Sequence, residues 1–308
     1  MSRLGVVRNP AANGHRGQGP GEGVIRELCA AGHVVDDLTG TDAEQSLARA
    51  RDAAHRTRKP LDALIVCGGD GMVHLGANAL AHTSVPLGIV AVGSGNDFAR
   101  SLGLPRRNGL AGLAAVLSGL QRPPRSVDLL RVDLPPGPRW VAGVISAGLD
   151  AAVNETANGY TFPPGGGKYI RAVAANLRRF RPYDYHVRLD GDGQDLSGTL
   201  VAVANAPYFG GGMRMAPDAD LHDGMADVVL ARALTRGQIA RIFPRLYSGR
   251  HVQHPAVSVH RAAEISLAPL PDGVPPPIGY GDGERLGPLP MRIRVDRSAL
   301  QTLDPAVP

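Results

Sequence analysis

Along the first 125 positions two patterns alternate. Short continuous apolar runs mark buried strands, and stretches whose apolar residues recur every three or four positions mark amphipathic helices. Leu4–Arg8 is such a run and leads into Asn9-Pro10. Val24, Ile25, Leu28 and Ala31 form a helical stripe, and His33–Leu38 reads as the next strand. Thr41-x-x-Glu44 reads as a capping box, opening a helix with Ala43, Leu47, Ala50 and Ala54 on one face. Leu61–Cys67 and Leu87–Val92 are buried strands by length and β-branched content, and Leu110–Leu120 is a short Ala/Leu-rich helix. Strands alternating with helices imply a parallel sheet, which binds ligands beyond the C-terminal ends of its strands.

The pattern changes after Arg122-Pro123-Pro124. Strand-like segments dominate from there: Ser126–Leu134, Arg139–Ser146, Asp184–Leu189, Thr199–Ala204, Ala226–Ala231, Ala256–His260, Ala263–Leu267 and Met291–Val295. Two helical patches interrupt them, Lys168–Arg181 and a segment opened by a second capping box, Thr235-x-x-Gln238. Short strands separated by turn signals read as an antiparallel, β-rich second domain.

Composition refines this picture. At 43% hydrophobic and only 4% aromatic residues, the chain has material for a core that must be mainly aliphatic. Cys29 and Cys67 each lie in an apolar run and are expected to be buried thiols; two cysteines exclude a disulfide framework or a cysteine zinc site. The lone Trp140 is expected in the core, and His251, His254 and His260, whose spacing matches no common metal motif, on the surface. No apolar run approaches the roughly 18 residues of a membrane span, and the first residues lack a signal-peptide core, so a cytoplasmic protein is expected. The net charge of +5 favours an anionic partner, be it nucleotide, nucleic acid or membrane surface. Nucleic acid is disfavoured, because the basic residues do not read as interleaved with aromatics.

Two glycine-rich turns carry the chemistry. Leu61–Cys67 runs straight into Gly68-Gly69-Asp70-Gly71, and Leu87–Val92 into Gly93-Ser94-Gly95-Asn96-Asp97. Glycines let a backbone approach phosphate oxygens, and a following helix adds aligned N–H groups. Asp70 would repel a phosphate unless it holds a cation or orients a donor; Mg2+ shared with phosphates answers that. The plain alternative is a tight turn with a helix-capping Asp70, and likewise a cap from Asn96 or Asp97. In the second turn Ser94 and Asn96 can donate to phosphate, while Arg100 can neutralise charge. Neither a GxxxxGK[ST] loop nor a GxGxxG after the first strand is present.

These residues resemble the catalytic domain of the diacylglycerol kinase and sphingosine kinase lipid-kinase family, in its soluble bacterial branch. The resemblance rests on Asn9-Pro10 with Asn13-Gly14 (family NPxSG), Gly68–Gly71 (GGDG) and Gly93–Arg100 (NDFAR). It continues through Ser146–Val153 (similar to GFDA), Pro217–Asp227 (PxAxxDDGxLD) and Gly281–Glu284 (DGE), in family order over nearly the whole chain. Met72 stands where the family usually has Thr and Leu75 where Glu is common, so a hydroxyl and a carboxylate contact are missing.

The resemblance implies a nucleotide-binding α/β domain over residues 1–125, rejoined by the tail 297–308, followed by a β-sandwich-like lipid domain over 126–296. ATP would lie against Asn9, Gly68, Gly69, Asp70 and Gly71, and against Gly93, Ser94, Gly95, Asn96 and Asp97. Glu284 resembles the general base for the acceptor hydroxyl, and Asp282 would support Mg2+. Asp223, with Asp218 and Asp220, resembles a second Mg2+ site. The alternatives are a solvated Glu284 after a type I′ hairpin turn, and an acidic surface loop at Asp218–Asp223. The implied activity is Mg2+-dependent transfer from ATP to a lipid with a free hydroxyl. Lys168–Arg181 holds five cations and no acid; it is a dock for an anionic membrane surface, a solvated face or a phosphate clamp. An NAD kinase would explain GGDG but leave NDFAR and DGE as accidents, and a catalytically weak regulator would explain Met72 and Leu75. The acceptor lipid, the nucleotide preference and the oligomeric state, a homodimer included, are left open.

Overall fold

The computed structural model describes residues 1–9, 20–135, 137–160 and 166–304. The chain divides into two units, Met1–Leu129 with Asp296–Pro308, and Leu130–Val295. Pro10, Asn13 and Gly14 of the first motif lie outside the described residues.

The first unit is built from β1 (Arg3–Arg8), α1 (Pro20–Ala30), β2 (Val34–Asp37), α2 (Ala43–Ala54), β3 (Ala63–Gly68), α3 (Asp70–Leu80), β4 (Leu87–Ala91), α4 (Asp97–Ser101) and α5 (Gly109–Gly119). Its strands are parallel in the order β4-β3-β1-β2. β3 is buried at every position, as expected of a central strand covered on both faces. Leu4, Val6, Ile65, Val90 and Leu113 form part of one aliphatic core there. Helix α3 packs closely because residue 76 is glycine: a Cβ there would lie 2.6 Å from Leu87 Cδ1.

The second unit follows β5 (Arg125–Val132), within which the division falls. It contains β6 (Arg139–Val141), β7 (Val144–Gly148), α6 (Leu149–Asn158), α7 (Gly166–Arg179), β8 (Tyr183–Leu189), β9 (Asp192–Ala204), β10 (Tyr208–Phe209), β11 (Met213–Arg214), β12 (Ala226–Arg232), α8 (Arg236–Ile242), β13 (Val257–Ala262), β14 (Glu264–Pro269), β15 (Gly279–Gly281), β16 (Glu284–Gly287) and the first part of β17 (Met291–Thr302). Strand order is β16-β15-β7-β9-β8-β14-β17, with β12 beside β9 and β13, all antiparallel. Alternate residues such as Tyr185, Val187, Val201, Val203, Ile265 and Ile293 fill its core. A parallel-sheet α/β unit followed by a β-rich unit is the fold class expected from the sequence.

Several local expectations change. Helix α2 is capped by Asp42, whose carboxylate accepts from Gln45 N at 2.8 Å, while Gln45 Oε1 accepts from Thr41 N. The cap is therefore Asp42 rather than Thr41, with Gln45 reaching the residue before it instead of closing a box, and the buried face becomes Ser46, Ala50 and Ala53, leaving Ala43 exposed. Ala31 falls past the end of α1 and is exposed, as is Cys29; only Cys67 is buried. The run Arg139–Ser146 is two strands, because the amides of Ala142 and Gly143 leave the ladder for the Asp282 carboxylate. Trp140 is half-buried. The capping box at Thr235 and Gln238 forms as read.

Candidate active site

In the first unit β3 ends at Gly68, and α3 begins at Asp70 with Gly69 as its N-cap and no side-chain cap. The neighbouring strand β4 leads into the second glycine turn, and the two turns interlock. Gly68 O accepts from Val92 N at 3.0 Å and Gly93 N at 3.1 Å. A Cβ at Gly93 would lie 2.4 Å from Gly69 Cα and 2.7 Å from Gly69 N, so this approach of backbone on backbone requires glycine. Asn96, in the left-handed region at φ 58°, is buried and accepts from Gly93 N while donating to Gly93 O at 2.7 Å.

Asp70 ties the two turns together. Its Oδ1 accepts from Asp97 N at 2.7 Å and from Phe98 N at 3.1 Å, so it caps not its own helix but the start of α4. Its Oδ2 faces Gly95, where a Cβ would stand 2.7 Å from it and 3.7 Å from Asp97 Oδ2. Two carboxylates thus flank a cradle that any side chain at position 95 would fill. Mg2+ is commonly held by one or two carboxylates together with substrate phosphates, and this donor set fits such a cation. Around the turns, Asn9 N donates to Cys67 O, and the Asn9 side chain lies beside Gly68. Gly71 is exposed in the first turn of α3; Ser94 is exposed, its carbonyl held by Arg107 Nη2 at 2.9 Å; Arg100 Nε lies 3.9 Å from Asp97 Oδ1. Helix-terminal N–H groups, a hydroxyl and guanidinium groups are the chemistry that binds phosphate. The unusual Met72 and Leu75 are both buried, Met72 packing on Gly68. Burial raises the Cys67 thiol to about 12, which leaves it inert.

The second unit places Glu284 just after a two-residue turn, Asp282-Gly283, with φ 52° and 84°, the geometry of a type I′ hairpin. Glu284 is exposed. Asp282 gives one oxygen to Ala142 N and the other to Gly143 N, both at 2.8 Å, which anchors the hairpin. The strand is also held through Tyr280, whose hydroxyl donates to Glu155 Oε2 on α6; Arg285 Nε lies 3.7 Å from the same oxygen. Burial and the Glu155 contact raise the Tyr280 hydroxyl above its ordinary value. Glu155 and Tyr280 were not read from the sequence as site residues; they are 125 positions apart, and no local pattern links them.

Asp223 is paired with Arg261 and accepts from Met225 N, Asp220 accepts from His222 N, and Arg261 also lies 3.7 Å from Asp227. Burial raises the Asp227 carboxyl, against the opposing pull of Arg261. Among the described residues no group of three or more His, Cys, Asp or Glu side chains is arranged to hold a metal. His251 is buried rather than on the surface, its Nε2 3.0 Å from Met215 O, and burial lowers its pKa. The basic segment folds as α7, with Arg171 over the Tyr160 ring at 4.2 Å and Arg178, Arg179 and Arg181 exposed. No helix of the described residues is long and apolar enough to cross a membrane.

Two interlocked glycine-rich turns thus stand at the C-terminal strand ends of a parallel-sheet α/β unit, which a β-rich unit follows. Residues 3–132 match the diacylglycerol kinase catalytic domain, and residues 143–304 match the YegS C-terminal NAD kinase beta sandwich-like domain. A diacylglycerol kinase of Mycobacterium tuberculosis (strain ATCC 25618 / H37Rv) is 34% identical over 99% of this chain and 96% of its own length. A diacylglycerol kinase of Bacillus subtilis (strain 168) is 25% identical over 87% of this chain and 86% of its own. A diacylglycerol kinase structure from Bacillus anthracis str. Sterne shares the fold at TM-score 0.68 and 17% identity, covering 99% and 97% of the two chains. The chain belongs to the diacylglycerol kinase catalytic-domain family, the lipid-kinase type of phosphotransferase.

Proposed function

We propose that this protein is an ATP- and Mg2+-dependent lipid kinase that phosphorylates the hydroxyl of a diacylglycerol-like lipid. The observation that carries the reading is the interlocked pair of glycine turns, tied by Asp70 and leaving two carboxylates around Gly95. Asp70 and Asp97 would hold the cation that accompanies the nucleotide, which supplies charge neutralisation on the phosphates. The exposed backbone at Gly71, the Ser94 hydroxyl and Arg100 bind and orient the triphosphate. Glu284 takes the proton from the acceptor hydroxyl as its oxygen bonds to the γ-phosphorus. The bond from that phosphorus to the β–γ bridging oxygen breaks, and ADP leaves. Phosphoryl transfer depends chiefly on positioning and charge, so few residues need to do covalent chemistry.

The acceptor is drawn from an anionic membrane surface that the protein visits from the cytoplasm, and phospholipid metabolism is its setting. The test is transfer of label from ATP to diacylglycerol, monoacylglycerol, a sphingoid base and an isoprenoid alcohol in mixed micelles, with and without Mg2+. Labelled phospholipid product is expected only with Mg2+. Phosphorylation of NAD in place of every lipid would refute the reading, as would ATP binding with no transfer at all.

A further inference from the structure

The stretch from Val228 to Ala263 contains six arginines, Arg232, Arg236, Arg241, Arg245, Arg250 and Arg261, and no Asp or Glu. Among the described residues only Arg261 of the six has an acidic partner. The centre of the stretch is α8 and the 3-10 turns Phe243–Ser248 and Arg250–Gln253. Ile242 is buried, and Leu246 packs against the cluster of Ala204, Met215 and Val229. The residue after each is an aromatic left in water: Phe243 is 41% and Tyr247 55% exposed, their centroids 6.4 Å apart. The residue before each is an exposed arginine, Arg241 and Arg245. Two inward anchors thus leave a pair of rings and a pair of arginines exposed on one short segment.

We infer that this segment is a docking surface for an anionic lipid bilayer. Aromatic rings partition into the boundary between headgroups and acyl chains, and arginines pair with the negative headgroups while their stems lie along apolar surface. The charge is complementary to such a surface, since no acid in the stretch opposes it. Arg241, Phe243, Arg245 and Tyr247 do interleave basic residues with aromatics, against the expectation from sequence, but single-stranded nucleic acid also stacks successive bases on such rings. Here the two rings stand at 83° to each other and cannot both face one run of stacked bases. The inference rests on the lipid-kinase reading only for the reason a bilayer should be met, and it can be tested without catalysis.

The experiment is vesicle sedimentation of the full chain with phosphatidylcholine alone and with phosphatidylcholine containing phosphatidylglycerol. Wild type is expected to bind only the anionic vesicles. Arg241→Gln with Arg245→Gln should weaken binding about 25-fold, at roughly fivefold per basic residue near the surface, and flatten its salt dependence. Phe243→Ser with Tyr247→Ser should weaken binding while leaving the salt dependence in place. Arg236→Gln with Arg250→Gln is a second charge pair, and unchanged thermal unfolding identifies which variants are folded. Wild-type failure to bind anionic vesicles overturns the inference, as does wild-type-like binding by the aromatic pair or by both charge pairs. So do effects on self-association or on oligonucleotide binding without an effect on vesicles. If binding depends on the surface but no lipid is ever phosphorylated, the kinase reading falls and the docking surface stands. If wild type and all three paired variants phosphorylate micellar lipid equally and bind vesicles equally, the surface falls and the kinase stands.

Discussion

Asp70 is the residue on which structure and chemistry converge, and two substitutions separate them. In the native chain its Oδ1 accepts from Asp97 N at 2.7 Å and Phe98 N at 3.1 Å. Hydrogen bonds to a charged group contribute about 1.5–3 kcal/mol each, so losing both through Asp70→Ala costs about 3 kcal/mol, the low end for a half-buried carboxylate. At about 2–4 °C per kcal/mol for a domain of this size, Tm falls by roughly 6–12 °C. Asp70→Asn keeps an oxygen for the two amides and forfeits only their charge-assisted part, so its Tm falls by about half as much. It also removes the negative charge facing Gly95, and loss of a preorganised electrostatic group costs about 10²–10³ in turnover. Differential scanning fluorimetry beside a labelled-ATP transfer assay reads both effects. A wild-type Tm for Asp70→Ala would refute the tie between the turns. Wild-type turnover by Asp70→Asn would refute the charge's role in the reaction.

Gly93→Ala places a methyl 2.4 Å from the Gly69 backbone, where ordinary contact needs about 3.5–4 Å. It should raise the KM for ATP and lower Tm, since overpacking costs about 1–3 kcal/mol; unchanged nucleotide affinity would show the turns can part without consequence. Cys29 should react with a maleimide in the native protein and Cys67 only after unfolding, which mass spectrometry of labelled peptides checks. His251 is held neutral by burial, so its folded pKa lies below the unfolded value of about 6.5. Below that pH the unfolded chain takes up a proton the folded chain refuses, and stability falls as pH drops through this window. Urea unfolding between about pH 7 and pH 5 should show stability falling more steeply with decreasing pH in wild type than in His251→Gln, and equal slopes would contradict it.

The sequence made the large architecture readable because its signals are local: a buried run ending in glycine, twice, and a change to short strands after Pro124. What it hid depends on contacts made at a distance. The plain alternative for Asp70 is a cap for its own helix, but the amides it serves belong to α4, 27 and 28 positions away. Asp282, which the resemblance makes a support for Mg2+, also meets amides 140 and 139 positions upstream, and these break one expected strand in two. At α2 Asp42 caps rather than Thr41, and Ser46 and Ala53 are buried where Leu47 and Ala54 were expected. Cys29 and His251 show the limit of composition: an apolar neighbourhood in sequence left one thiol exposed, while a polar one buried an imidazole against a carbonyl. Glu284 was legible as a motif, and its exposed place after a type I′ turn fits both a base and a solvated side chain.

That ambiguity makes Glu284 the decisive position. The measurement is transfer of labelled phosphate from ATP to diacylglycerol in anionic mixed micelles by wild type and Glu284→Gln, with nucleotide affinity of both proteins measured alongside. The account predicts product with wild type, a loss of about 10²–10⁴-fold in kcat for Glu284→Gln, and an unchanged affinity for ATP. Near-wild-type turnover by Glu284→Gln, or no labelled lipid from wild type, would contradict it.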